Sequence, residues 1–368
     1  MKITQVKPWI NSSEANYIKK VVKKTFLTEG KETEKFENFF KKNFNIKHAI
    51  SVSNWSCGIF ACLKALNIGK NDEVIVPNLT FIATLNAVIL AGATPILCDV
   101  DEKNLSIDLD KVQKKITKKT KAIIPVHLYG HCCELDKLSN ICKKNKLFMI
   151  EDAAQAIFST YKKKKLGTLG VFGGFSFYGN KIITTGEGGI IFTNNSKLRN
   201  KIYEIKNHGR LKKGVFVHKE IGYNFMFTEM QAAIGNIQVK KLKKIINKKE
   251  KIFKIYKKEL SDIKSISFMK NISNNKPVHW FTNIFTKDKA KLKSYLNKNN
   301  IQTRDIFLPL NLQPCYKGKN IVKNLNDKFP ISKKIYKSGL SLPSSYDLKT
   351  YELNFIIKKI RNFYFSNL

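Results

Sequence analysis

Through the first two-thirds of the chain, short runs of apolar and β-branched residues alternate with amphipathic segments. The runs are HAISVS (48–53), EVIVP (73–77), TPILCDV (94–100), AIIPVHL (122–128), LFMIED (147–152), GGFSFYG (173–179) and GIIFT (189–193). Most are separated by helix-period stretches: CGIFACLKALN, TFIATLNAVILAG, LDKVQKKI and ELDKLSNICKKN. Continuous apolar strands bounded by helices are buried on both faces, which predicts a mostly parallel sheet of about seven strands in an α/β domain. The last two runs have no helix between them, so an antiparallel edge is expected there. From TEMQAAIGNIQ onward a long helix-period pattern continues, with Ile234, Ile237, Val239 and Leu242 on its apolar side. It is expected to lead from a large domain (1–244, with an N-terminal helical segment) into a smaller C-terminal α+β domain (245–368).

Composition narrows the picture. A chain of 368 residues, 43% hydrophobic and 11% aromatic, has the material for a large core. No window of 18 apolar residues is present, and MKITQVKPWINSSEANYIKK has no apolar signal region, so a cytoplasmic protein with no membrane association is expected. The seven cysteines are odd in number and scattered, and the Cys132–Cys133 pair has no second pair at zinc-ligand spacing, so reduced thiols and no metal are expected.

The formal charge of +39 raises nucleic acid as a partner. Only four of the 67 basic residues are arginine (Arg199, Arg210, Arg304, Arg361), whereas base readout and phosphate forks favour arginine. The lysines are also spread along the entire chain. A solvated, compositionally basic surface is the simpler reading, with attraction of an anionic substrate as its consequence.

Chemistry collects at the ends of the predicted strands, where open α/β sheets bind ligands. After HAISVS, the segment NWSCG opens a helix, so Ser56 and neighbouring N–H groups form a potential anion site, although an ordinary helix cap would look the same. After LFMI come Asp152 and Gln155. After GGFSFYG come Ser176 and Lys181, followed by the glycines of TTGEGG. Any one of these is ambiguous: a lone lysine there is ordinarily a surface residue. Together they meet the demands of pyridoxal 5′-phosphate. Lys181 can form a Schiff base, Asp152 can pair with the pyridinium nitrogen, and hydroxyls at a helix start can hold the phosphate. The order phosphate site, Asp152, then Lys181, 29 residues later, suits fold-type-I enzymes of this cofactor.

The sequence resembles the DegT–DnrJ–StrS family of nucleotide-sugar aminotransferases, and within it the perosamine synthase branch. The resemblance runs through LTEGKETEKFENFF, VPNLTFIATLNAVILAGATPILCDVD, PVHLYG, IEDAAQAIFSTY, SFYGNKIITTGEGG, IGYNFMFTEMQAAIGNIQ, TRDIFLPLNLQP and SLPSSYDL. It implies a fold-type-I α/β enzyme in which Lys181 is the Schiff-base lysine and acid/base, and Asp152 the partner of the pyridinium nitrogen. Gln155 would lie near the phenolic oxygen and Phe81 in the ring-binding region. Ser56, the Cys57 backbone and Ser176 would bind the phosphate. Asn224 would reach the phosphate of a neighbouring subunit, implying a homodimer with shared active sites. Trp55, Tyr178, Arg304, Phe307 and Asn311 would line the substrate region. The implied reaction moves an amino group from L-glutamate to a nucleotide-linked 4-keto-6-deoxysugar, through pyridoxal and pyridoxamine forms of the cofactor. A sibling enzyme aminating C3 or a sugar on another nucleotide is the nearest alternative; a basic nucleic-acid-binding protein is the alternative of a different class. Three positions depart from the family's pattern: Trp55 stands where a glycine is usual, Met226 for an arginine and Asn311 for a histidine.

Overall fold

The computed structural model describes residues 2–210, 212 and 214–365. Seven strands build the main sheet: β1 (His48–Val52), β2 (Glu73–Pro77), β3 (Thr94–Cys98), β4 (Thr120–Ile123), β5 (Phe148–Asp152), β6 (Phe172–Ser176) and β7 (Gly189–Thr193). Their spatial order is β1-β7-β6-β5-β4-β2-β3. Neighbours are parallel from β3 across to β6, and β7 runs antiparallel to both β6 and β1. The antiparallel strand is thus one place in from the edge rather than at it. With no helix after β6, the chain returns by a loop and pairs in reverse, and β1 closes the outer side.

The fourth strand is shorter than its apolar run. After Ile123 the chain leaves the sheet, makes a single bridge from Val126 to Asp152, and turns through a 3₁₀ segment at Leu128–Gly130. Leu128 and Tyr129 remain buried, so the hydrophobicity that resembled more strand serves core packing instead.

Helices cover both faces of the sheet: α1 (Ser12–Val22), α2 (Lys31–Phe44), α3 (Trp55–Ala65), α4 (Ala83–Leu90), α5 (Leu109–Lys115), α6 (Leu135–Lys144) and α7 (Ser196–Lys206). On one face Phe36, Phe40 and Phe44 of α2 meet Phe175, Phe177 and Phe192 at ring separations of 5.1–6.3 Å. On the other, Ile59 and Leu63 of α3 pack with Ile50, Val52 and Ile191.

The long helix α8 (Glu229–Leu260) starts in a capping box, with Thr228 accepting from the Gln231 N–H. Its first residue, Glu229, caps a different helix: its carboxylate accepts from the N–H groups of Gly30, Glu32 and Thr33 and from the Thr33 hydroxyl, at 2.8–2.9 Å. A negative charge against the positive end of α2 fixes the N-terminal segment to the start of α8.

The rest of the chain adds α9 (Lys289–Lys298), α10 (Pro330–Ser338), α11 (Thr350–Phe365) and a four-stranded antiparallel sheet. Its strands are β8 (Ser267–Phe268), β9 (Thr282–Phe285), β10 (Arg304–Asp305) and β11 (Gly339–Leu342), in the order β8-β9-β11-β10. Ile252, Tyr256 and Leu260 of α8 share a separate core with Leu340, Leu342, Ile356 and Ile360. Residues 244 and 245 lie within the unbroken helix α8. No helix among the described residues is long and apolar enough to cross a membrane.

Candidate active site

The carboxyl ends of β5 and β6, the starts of α3 and α4, and two loops of the C-terminal half converge on one region. Asp152, the last residue of β5, is 4% exposed. Its Oδ1 accepts from the indole Nε1–H of Trp55 at 2.8 Å and from the Ala154 N–H at 3.2 Å. Its Oδ2 accepts from the Thr84 hydroxyl at 2.7 Å, and Thr84 in turn meets the Thr80 hydroxyl at 3.2 Å. A carboxylate offers about four lone-pair positions. Three are filled, and the open one is on Oδ2.

Next to Asp152 in sequence, fully buried Glu151 accepts from His127 Nε2 at 2.8 Å and from the N–H groups of Gly167, Leu169 and Gly170 at 2.9, 2.5 and 2.7 Å. It points to the opposite face and ties down the loop that leads into β6.

Lys181 follows β6 in a turn closed by its own N–H to the Tyr178 carbonyl, at 2.9 Å. Its side chain is partly buried, and its Nζ lies 4.1 Å from the centre of the Trp280 ring. Among the described residues no oxygen accepts from this ammonium. Burial pushes its pKa down to about 8, the positive charge of Arg304 adds to the fall, and Asp152 opposes it. A lysine so placed is a usable nucleophile and base near neutrality. Trp280 also donates its indole N–H to the Asn180 carbonyl at 2.7 Å, holding the turn from the side of the C-terminal half. Gly186, at φ +84°, completes the loop between β6 and β7 in a conformation that side chains avoid.

The anion end of the site is the start of α3. The Asn54 side chain caps this helix by accepting from the Cys57 N–H at 2.9 Å. That N–H, expected to help hold phosphate, is engaged within the protein by the asparagine that precedes the helix. The exposed Ser56 hydroxyl remains at the first turn. Ser176, at the end of β6, accepts from the Tyr178 N–H at 3.3 Å and keeps its own hydroxyl proton to give.

The remaining expected residues fall in several places. Gln155 is buried, with its Oε1 accepting from the Tyr129 N–H at 2.9 Å, so its amide nitrogen is left over for the site. Phe81 is 54% exposed, its ring 5.8 Å from that of Phe307, which stacks 6.3 Å from Tyr129. Tyr178 is 49% exposed at the mouth. Arg304 lies with its guanidinium 5.6 Å from the Phe281 ring. Asn311 is locked to buried Asn78 by reciprocal bonds, each 2.9 Å long, and its own amide NH₂ has no partner among the described residues. Asn224 is exposed and accepts from the Met226 N–H at 3.4 Å.

Trp55 is the clear departure. It was expected at the substrate, but it is 4% exposed and turned inward, beneath Asp152. Trp280, Thr84 and Tyr129 were missed. Trp280 lies 99 residues after Lys181 in sequence with no motif linking them. Thr84 carried a weak signal, a hydroxyl four residues after Thr80 at a helix start. Among the described residues no group of three or more histidine, cysteine, aspartate or glutamate side chains could hold a metal ion.

A buried aspartate anchored by three donors, and a lysine whose pKa burial lowers to about 8 under the influence of that carboxylate, stand on a mostly parallel α/β sheet of the fold-type-I class. The chain belongs to the DegT/DnrJ/EryC1/StrS aminotransferase family, which matches residues 8–361, and it is a sugar aminotransferase. It is 36% identical over 361 residues to a GDP-perosamine synthase of Escherichia coli O157:H7, with 97% of each chain covered. It is 33% identical over 337 residues to a dTDP-3-amino-3,6-dideoxy-alpha-D-galactopyranose transaminase of Aneurinibacillus thermoaerophilus, covering 91% of this chain and 90% of that one. The solved structure of S. venezuelae DesV in complex with ketimine intermediate superposes with a TM-score of 0.91 at 29% identity, covering 96% of this chain and 95% of that chain.

Proposed function

We propose that the protein is a pyridoxal-phosphate-dependent transaminase that moves the amino group of L-glutamate to a nucleotide-linked 4-keto-6-deoxysugar, releasing 2-oxoglutarate. The observation that carries the reading is the Lys181–Asp152 arrangement: an amine with no hydrogen-bond acceptor among the described residues, its pKa lowered to about 8, near a buried carboxylate with one acceptor position open. The donor set fits the cofactor. Asp152 Oδ2 would take the pyridinium N–H, Gln155 the phenolic oxygen, and Ser56, Ser176 and the first turn of α3 the phosphate. When bound, pyridoxal phosphate supplies an aldehyde that captures amines and a ring that accepts the electron pair left by C–H cleavage.

The protein's own groups do the rest. Lys181, neutral in a substantial fraction at pH 7–8, takes the proton from the glutamate α-carbon side and returns it to the cofactor side, then reverses the sequence with the sugar. Trp280 and Tyr129 wall this region with aromatic surface and limit water around the amine. Asn311 and Arg304 would recognise a sugar hydroxyl or a diphosphate of the substrate, a role supported by the amide NH₂ of Asn311, which has no partner among the described residues. The likeness to the GDP-perosamine synthase supports C4 amination of a GDP-linked sugar. A second reading, C3 amination of a dTDP-linked sugar, is supported by the likeness to the Aneurinibacillus transaminase.

A homodimer with shared sites belongs to the same proposal. Phe216 and Ile221, in the segment that precedes Asn224, are 77% and 90% exposed, apolar surface that a second copy would cover.

The test is direct. The purified protein should be yellow, and its visible band should bleach with glutamate. It should then aminate one of a panel of GDP-, UDP- and dTDP-linked keto sugars, read by mass spectrometry. A Lys181→Ala protein that still gave aminated sugar would refute the assignment.

A further inference from the structure

The indole of Trp55 occupies a space made for it. A Cβ on Gly58 would lie 2.6 Å from Trp55 Cε3 and 2.9 Å from Cζ3, while its next neighbour, Val52 Cγ2, would be at an ordinary 3.4 Å. A Cβ on Gly174 would lie 2.2 Å from Trp55 Cζ3 and 2.5 Å from Cη2, and also 2.0 Å from the Ile190 carbonyl oxygen. Gly174 therefore has two reasons to be glycine. For Gly58 the indole is the main one. The indole is 4% exposed, and its single polar atom, Nε1, is committed to Asp152 Oδ1 at 2.8 Å. With the Ala154 N–H on the same oxygen, both lone-pair positions of Oδ1 are occupied, so the carboxylate can rotate only by giving up a buried donor.

We propose that Trp55, seated against Gly58 and Gly174, is a positioning residue: its indole N–H fixes Asp152 so that Oδ2 alone faces the ring nitrogen of the cofactor. Trp55 touches neither cofactor nor substrate in this role; it acts through Asp152. The inference rests on the pyridoxal phosphate reading of the site. It also accounts for a large aromatic residue at the start of α3, where the backbone must stay open to an anion: the ring turns inward, away from that opening.

The test compares two ligands on the cofactor-free protein by titration calorimetry: pyridoxal phosphate, and the analogue in which a ring CH replaces the pyridine nitrogen. Trp55→Phe keeps most of the ring and removes the donor. Losing one hydrogen bond to a charged group predicts binding of pyridoxal phosphate weakened about tenfold to a hundredfold. The analogue, which cannot use Asp152 in the same way, should change less than about threefold. Equal weakening with both ligands means a merely structural role and overturns the proposal, as does unchanged binding of pyridoxal phosphate. If Trp55→Phe does not fold, Gly58→Ala, which displaces the indole while keeping its N–H, must show the same contrast between ligands, and a uniform loss overturns the proposal equally. A wild-type protein that binds pyridoxal phosphate while either variant fails the contrast sinks only the role of Trp55. A wild-type protein that binds neither ligand sinks the cofactor reading, and this proposal with it.

Discussion

Without its cofactor, the protein holds Lys181 as an ammonium in a place that disfavours charge. Replacing it by methionine, of similar length and apolar, removes that cost while keeping contact with the Trp280 ring. The sign follows from proton binding. The folded-state pKa of about 8 lies below the 10.5 of the free side chain, so the unfolded chain binds the proton more tightly and Lys181 opposes folding wherever it is charged. That difference corresponds to about 3 kcal/mol at pH 7. The penalty is complete below pH 8 and fades as pH rises towards 10.5. Part of it is offset by attraction of the ammonium to the indole face, on the order of 1–2 kcal/mol. Lys181→Met is therefore expected to raise the urea midpoint of the cofactor-free protein at pH 7 and to lose most of this advantage by pH 10. Comparing the two proteins at each pH cancels the titration of the other lysines, which both share. An advantage that is absent, or that persists unchanged at pH 10, would refute the reasoning about burial.

Three further outcomes are expected. Glu229→Ala removes a carboxylate that serves four donors at the start of α2, and should cost about 3–5 kcal/mol, read as a lower urea midpoint and faster proteolysis within the first 45 residues. Trp280→Ala admits water to Lys181, so the pH midpoint for acylation of this amine, followed by mass spectrometry, should climb from about 8 towards the ordinary lysine value. Asn311→Ala should leave the bleaching by glutamate unchanged but raise KM for the keto sugar about tenfold, the worth of one or two hydrogen bonds; an equal loss in both half-reactions would place Asn311 outside sugar recognition.

The fold was readable because burial on both faces leaves strands no polar alternation, and β1, β2, β3, β5 and β7 were found within a few residues of their ends. The fourth apolar run misled because Leu128 and Tyr129 are buried without being in the sheet: hydrophobicity reports burial, and here that burial is in a 3₁₀ turn. At the site, Asp152 and Ser176 end their strands and Lys181 follows one by five residues, so it is their combination along the sequence, not the surroundings of any one of them, that suggests a shared site. Trp280 and Thr84 reach the same place from other elements, and only the packing of the C-terminal half and of α4 against the sheet brings them there. The direction of Trp55 was not legible either. A side chain at the first position of a helix can turn outward or inward, and the space that decides it is made by Gly174, 119 residues away.

The grip of Glu229 on α2 has a consequence for how the chain is made. Residues 30–33 leave the ribosome almost 200 positions before the carboxylate that caps them, since the pairs are separated by 196–199 residues. At the usual pace of synthesis, α2 waits on the order of 10–40 s for its cap. Through that interval Phe36 and Phe40 lack the start of α8, and for most of it they also lack β6 and β7, so the nascent N-terminal segment presents an aromatic stripe that a chaperone could hold. Completion of the N-terminal third of the enzyme is therefore timed by the synthesis of its middle.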